Sequence, residues 1–259
     1  MKRVTSFALA LVFLVLSPNT FAQMNAQRGG QQYQVDSNSH TIDFTNYEKG
    51  ILSQEEIDAL MHMREEEKLA RDIYTVLAKT TSSAVFENIP RSEQGHMDAF
   101  DQLLDRYDIS DPVTDESAIG VFTDPQFIKL FETLKEKGQR SDKDAFEVGA
   151  MVEDLNMSNL IRYSNATDKP DLKLAYNTLL DQSKNHMSAF VRQLDRLGYS
   201  FEPQYISENQ LEVAINEGQE HIEKEAKAEV GHAQEINNEI NRKATIFTKL
   251  KLFLMNLFK

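Results

Sequence analysis

Residues 86–107 read FENIPRSEQGHMDAFDQLLDRY. Phe86, Ile89, Met97, Phe100, Leu103, Leu104 and Tyr107 recur at helical spacing, the pattern of a helix with one buried face. Glu93 and His96 fall on that face, between Ile89 and Phe100, where apolar residues are expected. Three apart on a helix, a carboxylate and an imidazole deliver one oxygen and one nitrogen to a common point, which suits iron, manganese or zinc. The spacing alone is weak evidence. Glu229 and His232 repeat it, yet His232 shares a polar face with Glu225 and Glu235.

Ahead of this stretch, Ser53 and Glu56 form a capping box before Ile57, Leu60, Met61, Ala70, Ile73, Tyr74 and Leu77, which predicts a first helix near 54–79. Thr80 to Ser83 make the turn into the second helix, where Pro90 predicts a kink or restart. After Tyr107 comes a long connection containing a short helix, opened by Asp124-Pro125 and closed at Gly138. Ser141 caps a third long helix with the stripe Phe146, Gly149, Val152, Glu153, Leu155 and Leu160. Residues 165–170 turn, and a fourth helix runs from about 171 to Leu197, ended by Gly198. Short links inside each pair and one long link between pairs predict an all-α fold, a ferritin-like four-helix bundle with a crossover between helices two and three.

Every long helix places an ionisable group on its apolar stripe. Glu153 lies in the series Phe146, Gly149, Asn156, Leu160, and His186 in the series Leu179, Ser183, Phe190, Leu197. Glu67 falls seven after Leu60 and seven before Tyr74, with Glu66 close to the same face. An unpaired carboxylate buried in a bundle costs several kcal/mol, so these groups must compensate one another, and a metal ion does so. Taken singly, each has a plainer reading. His186 would be a hydrogen-bonded core histidine, Glu153 the partner of Arg64, Arg71 or Arg192, and Glu65-Glu66-Glu67 a solvated charge run beside Lys68 and Arg71.

Composition sets outer bounds. The 259 residues carry 28 Lys+Arg against 41 Asp+Glu, a net charge of −13, which disfavours nucleic-acid binding. The absence of Cys excludes disulfides, thiolate metal sites and a Cys nucleophile, and 10 Gly with 6 Pro argue against a turn-dense β fold. Lys2 and Arg3 precede an apolar run from Val4 to Leu16, and Thr20 and Ala22 are the small residues of a cleavage site, so residues 1–22 are expected to be a signal peptide. Losing Lys2 and Arg3 takes the charge from −13 to −15. The mature protein is then exported, and periplasmic in a cell with two membranes. Residues 23–49, rich in Gln, Asn and Ser, form a flexible leader, and 50–203 hold the bundle.

Residues 61–80, 86–107, 146–160 and 183–197 together resemble a ferritin-like family of bacteria and archaea catalogued as a domain of unknown function, related to rubrerythrin and ferritin-type di-iron carboxylate bundles. The resemblance covers about residues 50–203. A first-helix ligand Glu with Ala at +3, Arg at +4 and Tyr at +7 matches Glu67, Ala70, Arg71 and Tyr74, which favours Glu67 over Glu66. The second-helix Glu-x-x-His matches Glu93 and His96, and the third-helix Glu falls on Glu153. In the fourth helix Ser183 occupies the carboxylate position three before His186. The resemblance therefore implies a metal set of Glu67, Glu93, His96, Glu153 and His186, holding one ion well or two with water completing the shells. With iron it implies redox work on peroxide, dioxygen or ferrous ion, of peroxidase or ferroxidase type, with manganese or zinc as other occupants. Tyr74 and Tyr176 are then candidate supporting donors. A different class remains open, a non-catalytic ferritin-like scaffold serving as an envelope binding or stress module.

Ser207 with Gln210 caps a charged helical arm over 204–244, whose narrow seam of Ala226, Val230, Ala233, Ile236 and Ile240 suits packing on the bundle or in a homodimer. Residues 245–259 are amphipathic, with Phe and Leu on one face and Lys249 and Lys259 off it. Too short to span a bilayer, this helix lies on a membrane surface or packs on the protein.

Overall fold

The computed structural model describes residues 2–3 and 42–220 and the helical positions 224 and 227. The expected signal peptide apart from Lys2–Arg3, most of the expected leader, the Glu229/His232 pair, the outer part of the expected arm and the expected C-terminal amphipathic helix lie outside the described residues. The described part is an all-α helical bundle. Its helices are α1 (Gln54–Leu77), α2 (Ala84–Arg106), α3 (Pro125–Gly138), α4 (Asp142–Ala166), α5 (Pro170–Arg196) and α6 (208–220). A two-residue parallel pairing joins Lys2–Arg3 to Tyr199–Ser200.

Local chemistry sets the ends. Ser53 and Glu56 make both capping-box bonds at α1. Asp124 accepts from Gln126 N–H ahead of Pro125, and Ser141 accepts from Asp144 N–H. Gly198 follows α5 with φ 81, a left-handed conformation open to glycine at little cost. Pro90 does not end α2. It removes one backbone donor inside a continuous helix, because the flanking turns are held by the burial of Phe86, Ile89 and Glu93.

The antiparallel pairs α1/α2 and α4/α5 pack side by side, α4 against α1 and α5 against α2, while α3 covers the α1–α4 side. The interior holds Leu60, Met63, Ile73, Phe86, Phe100, Leu160, Leu179 and Phe190, all essentially inaccessible. Gly149 permits the close approach of α4 to α5. A Cβ there would sit 2.5 Å from the Phe190 ring. The first turns of α6 dock on α5 through buried Leu211 and Ala214, and Lys184 pairs with Glu217.

The charge run on α1 is not solvated. Arg64, Glu65, Lys68 and Asp72 are buried because the crossover folds over the outer face of α1, while Glu66 and Glu67 are buried against the other helices of the bundle. Arg64 pairs with Asp111 and Glu116, and Lys68 with Asp72 and the carbonyl of Ala118. Glu65 accepts from the backbone N–H of Thr123 and Asp124, just where α3 begins.

Candidate metal centre

Four helices each contribute to one buried cluster midway along the bundle. Glu67 comes from α1, Glu93 and His96 from α2, Glu153 from α4 and His186 from α5, and all five are buried. They form two overlapping triads, Glu67/Glu93/His96 and Glu93/Glu153/His186, whose ligand atoms lie within 4.8 Å of one another in each triad. Glu93 belongs to both. Its Oε2 is 2.9 Å from His96 Nδ1 and its Oε1 is 2.8 Å from His186 Nδ1. Glu67 Oε2 lies 3.3 Å from His96 Nδ1, and Glu153 Oε1 lies 3.5 Å from His186 Nδ1.

Glu93 Oε1 and His186 Nδ1 are close but misaligned, so neither has a hydrogen-bond partner among the described residues. Two buried polar atoms held near each other without bonding suit a third body that both can address. Metal–ligand bonds of about 2.1 Å place neighbouring ligand atoms about 3.0 to 3.4 Å apart. The separations of 2.8 to 3.5 Å straddle that range and also suit direct carboxylate–imidazole contacts, so small shifts would let each triad close on a divalent ion, with Glu93 shared between them.

The surrounding bonds set the orientation of this group. His96 Nε2 lies 2.7 Å from Gln182 Oε1 and His186 Nε2 lies 3.0 Å from Ser92 Oγ, leaving each Nδ1 toward the cluster. The pairing is crossed: the α2 imidazole is held by α5, and the α5 imidazole by α2. Ser92 and Gln182 are partly exposed, so this edge is where the cluster comes closest to solvent. Tyr74 donates to Glu153 Oε1 at 2.6 Å, and Asn156 donates to Glu67 Oε1 at 2.9 Å. Ser183, the departure noted in the fourth helix, donates to Asn156 Oδ1 and so supports Glu67 through it. Tyr176 is elsewhere, packed on Phe100 and Tyr163 with no partner for its hydroxyl among the described residues. Arg64 and Arg71 serve the crossover instead of Glu153. Glu66 turns away from the cluster to His62 and Asn159.

The electrostatics are those of a cation site. Burial pushes Glu67 up to about 7, although His96 opposes it. Burial also works against the charge on Glu93, but His186 and His96 outweigh it and hold that carboxyl below its ordinary range. Burial and then Glu93 raise Glu153. His186 is lifted to about 9, because Glu93 and Glu153 overcome its desolvation. Burial, followed by Glu153, keeps the Tyr74 phenol protonated as a donor. Three carboxylates face two imidazoles, so with every group ionised the cluster carries one negative charge in excess, which the raised Glu67 offsets in the metal-free protein when it keeps its proton.

Asn156 could be seen in the stripe of the third long helix, but the roles of Ser92 and Gln182 carry no sequence signal. They depend on how α2 and α5 are juxtaposed.

The family described as an uncharacterized protein domain, DUF2202, matches residues 56–217, which include all five clustered residues. The chain is 47% identical over 169 residues to the uncharacterized protein MJ0754 of Methanocaldococcus jannaschii, covering 65% of this chain and 91% of that one. The crystal structure of hypothetical protein MJ0754 from Methanococcus jannaschii is similar with a TM-score of 0.64 and 46% identity, over 66% of this chain and 98% of that chain. With the family match extending from α1 into α6, the chain belongs to the DUF2202 domain family.

Proposed function

We propose that this protein is a ferritin-like metalloprotein in which Glu67, Glu93 and His96 would hold one divalent ion and Glu93, Glu153 and His186 a second. The observation that carries the reading is the shared carboxylate, whose two oxygens each face a different imidazole inside a buried site with excess negative charge. Iron is the proposed occupant. Bound there, it would supply the one-electron steps of oxidising ferrous ion or reducing peroxide or dioxygen. The protein's own part is positional. Gln182 Oε1 accepts from His96 Nε2–H, Ser92 holds the His186 ring in place, Asn156 and Tyr74 orient the outer carboxylates, and the apolar packing limits water.

Export through residues 1–22 belongs to the same reading and places the chemistry in the periplasm. Elemental analysis with a visible spectrum of aerobically purified protein tests the function. Near-stoichiometric iron, lost in His96→Ala and in Glu153→Ala, supports it. Metal-free protein whose melting temperature is unchanged in both variants overturns it and leaves a scaffold.

A further inference from the structure

A second polar cluster lies on the α1–α4 face, outside both triads. His62 and Glu66 are one helical turn apart on α1, and Asn159 faces them from α4. His62 Nε2 is 3.1 Å from Glu66 Oε2, Asn159 Nδ2 is 2.6 Å from the same oxygen, and the two nitrogens are 3.4 Å apart. Glu66 is 1% exposed, and its other oxygen, Oε1, has no hydrogen-bond partner among the described residues. The His62 side chain retains 21% exposure, so the cluster opens to solvent at that end. The rings of Phe127 and Tyr163 wall it, with centroids 5.1 and 6.2 Å from the imidazole.

Hydrogen bonding leaves one atom of this arrangement unsatisfied. With a proton, His62 Nε2 donates to Glu66 Oε2 beside the Asn159 amide, and that oxygen can accept both. Glu66 Oε1 nevertheless stays buried and unbonded, which is costly for an ionised group. A cation bound by the carboxylate removes that cost. It takes the Nε2 lone pair and the Glu66 carboxylate, and rotating the Asn159 side-chain amide presents Oδ1 as a third ligand. The 3.1 and 3.4 Å separations fall in the range of edges of a shell with bonds of about 2.1 Å, while the 2.6 Å between the Asn159 amide and Glu66 must open by a few tenths of an ångström when Oδ1 turns inward.

We infer that His62, Glu66 and Asn159 form a second, solvent-reachable site for one divalent transition-metal ion, independent of the central cluster. Imidazole nitrogen with carboxylate and amide oxygen selects zinc, ferrous or manganous ion over calcium or magnesium, whose shells are built from oxygen.

Zinc is the probe, with the full chain counted by native mass spectrometry and His62 followed by peptide-mapped carbethoxylation. Wild type should bind one more zinc ion than either His62→Ala or Glu66→Gln. In wild type, zinc at ten times its Kd should slow His62 modification about tenfold. Protection of His62 should persist in His96→Ala, which disables the central cluster. Equal zinc counts with unprotected His62 overturn the inference, as does protection that disappears with His96→Ala. The mapping in wild type decides the matter even if a variant fails to fold. Should the central reading fail, His96→Ala leaves the zinc count unchanged while His62 stays protected, so the two failures are distinguishable.

Discussion

Two buried charged regions share helix α1 and solve opposite problems. On its outer face, Arg64, Lys68 and Arg71 meet Asp72, Asp111 and Glu116, and backbone groups of the crossover add further bonds, with Arg64 Nη1 left unbonded. On its inner face, Glu67 joins two more carboxylates and only two imidazoles. The outer region contains its own cations. The inner one lacks enough positive charge and leaves Glu93 Oε1 and His186 Nδ1 unbonded. The outer network matches its cations with carboxylates, whereas the inner one gathers three carboxylates around two imidazoles, an imbalance that the proposed ions would offset.

Breaking the self-balanced side has the largest expected effect. Asp72→Ala strands Lys68, Arg71 and the Gly120 N–H, and should cost about 3–5 kcal/mol in urea unfolding, with or without metal. A loss that metal restores would erase the contrast between the two faces. On the inner face, metal at a hundred times its Kd should stabilise wild type by about 2.7 kcal/mol and leave Glu93→Gln almost unmoved. Equal stabilisation of both proteins would place the ion elsewhere.

Gly149→Ala sharpens the comparison by perturbing the helix contact beside the cluster. Alanine normally favours a helix by about 1 kcal/mol over glycine. Here its Cβ would meet Phe190, so a net loss of about 1–3 kcal/mol is expected by thermal melting. A stabilised variant would mean that α4 and α5 are not held so close.

The smallest effect is in pH. His186 has its folded value raised to about 9, so its contribution is complete below its unfolded value of 6.5 and is lost as pH rises through 9. Glu67, raised to about 7 from 4.5, is protonated more readily in the folded state, so its contribution is complete below pH 4.5 and is lost as pH rises to 7. Metal-free protein should therefore weaken from about pH 4.5 to 9, first through Glu67 and then through His186, by about 1 kcal/mol for each proton per pH unit. Metal binding gains over the same range, because its ligands must be deprotonated. The gap between metal-bound and metal-free melting temperatures should widen with pH, and a constant gap would contradict the link between these groups and the ion.

Much of the architecture was legible because helix ends carry local chemistry. Ser53/Glu56, Asp124-Pro125, Ser141 and Gly198 mark boundaries that need no knowledge of the rest of the chain. The five clustered residues could be picked out because each interrupts an apolar stripe. The burial of Arg64, Glu65 and Lys68 could not, since a solvated charge run and one covered by a crossover have the same sequence. Only the fold brings Asp111, Glu116 and the backbone of Thr123 onto that face. Glu66 and Glu67 show the limit most sharply. They are adjacent carboxylates, yet one turns to His62 and Asn159 and the other to His96 and Asn156.

Anomalous diffraction at the iron edge, from crystals of protein loaded with ferrous ion, tests the bridged centre most directly. Two peaks about 3.5–4 Å apart are expected on either side of Glu93. One should lie within bonding distance of Glu67 and His96, the other of Glu153 and His186. Iron-free density at Glu93, with the two imidazoles bonded directly to the carboxylates, would contradict the account.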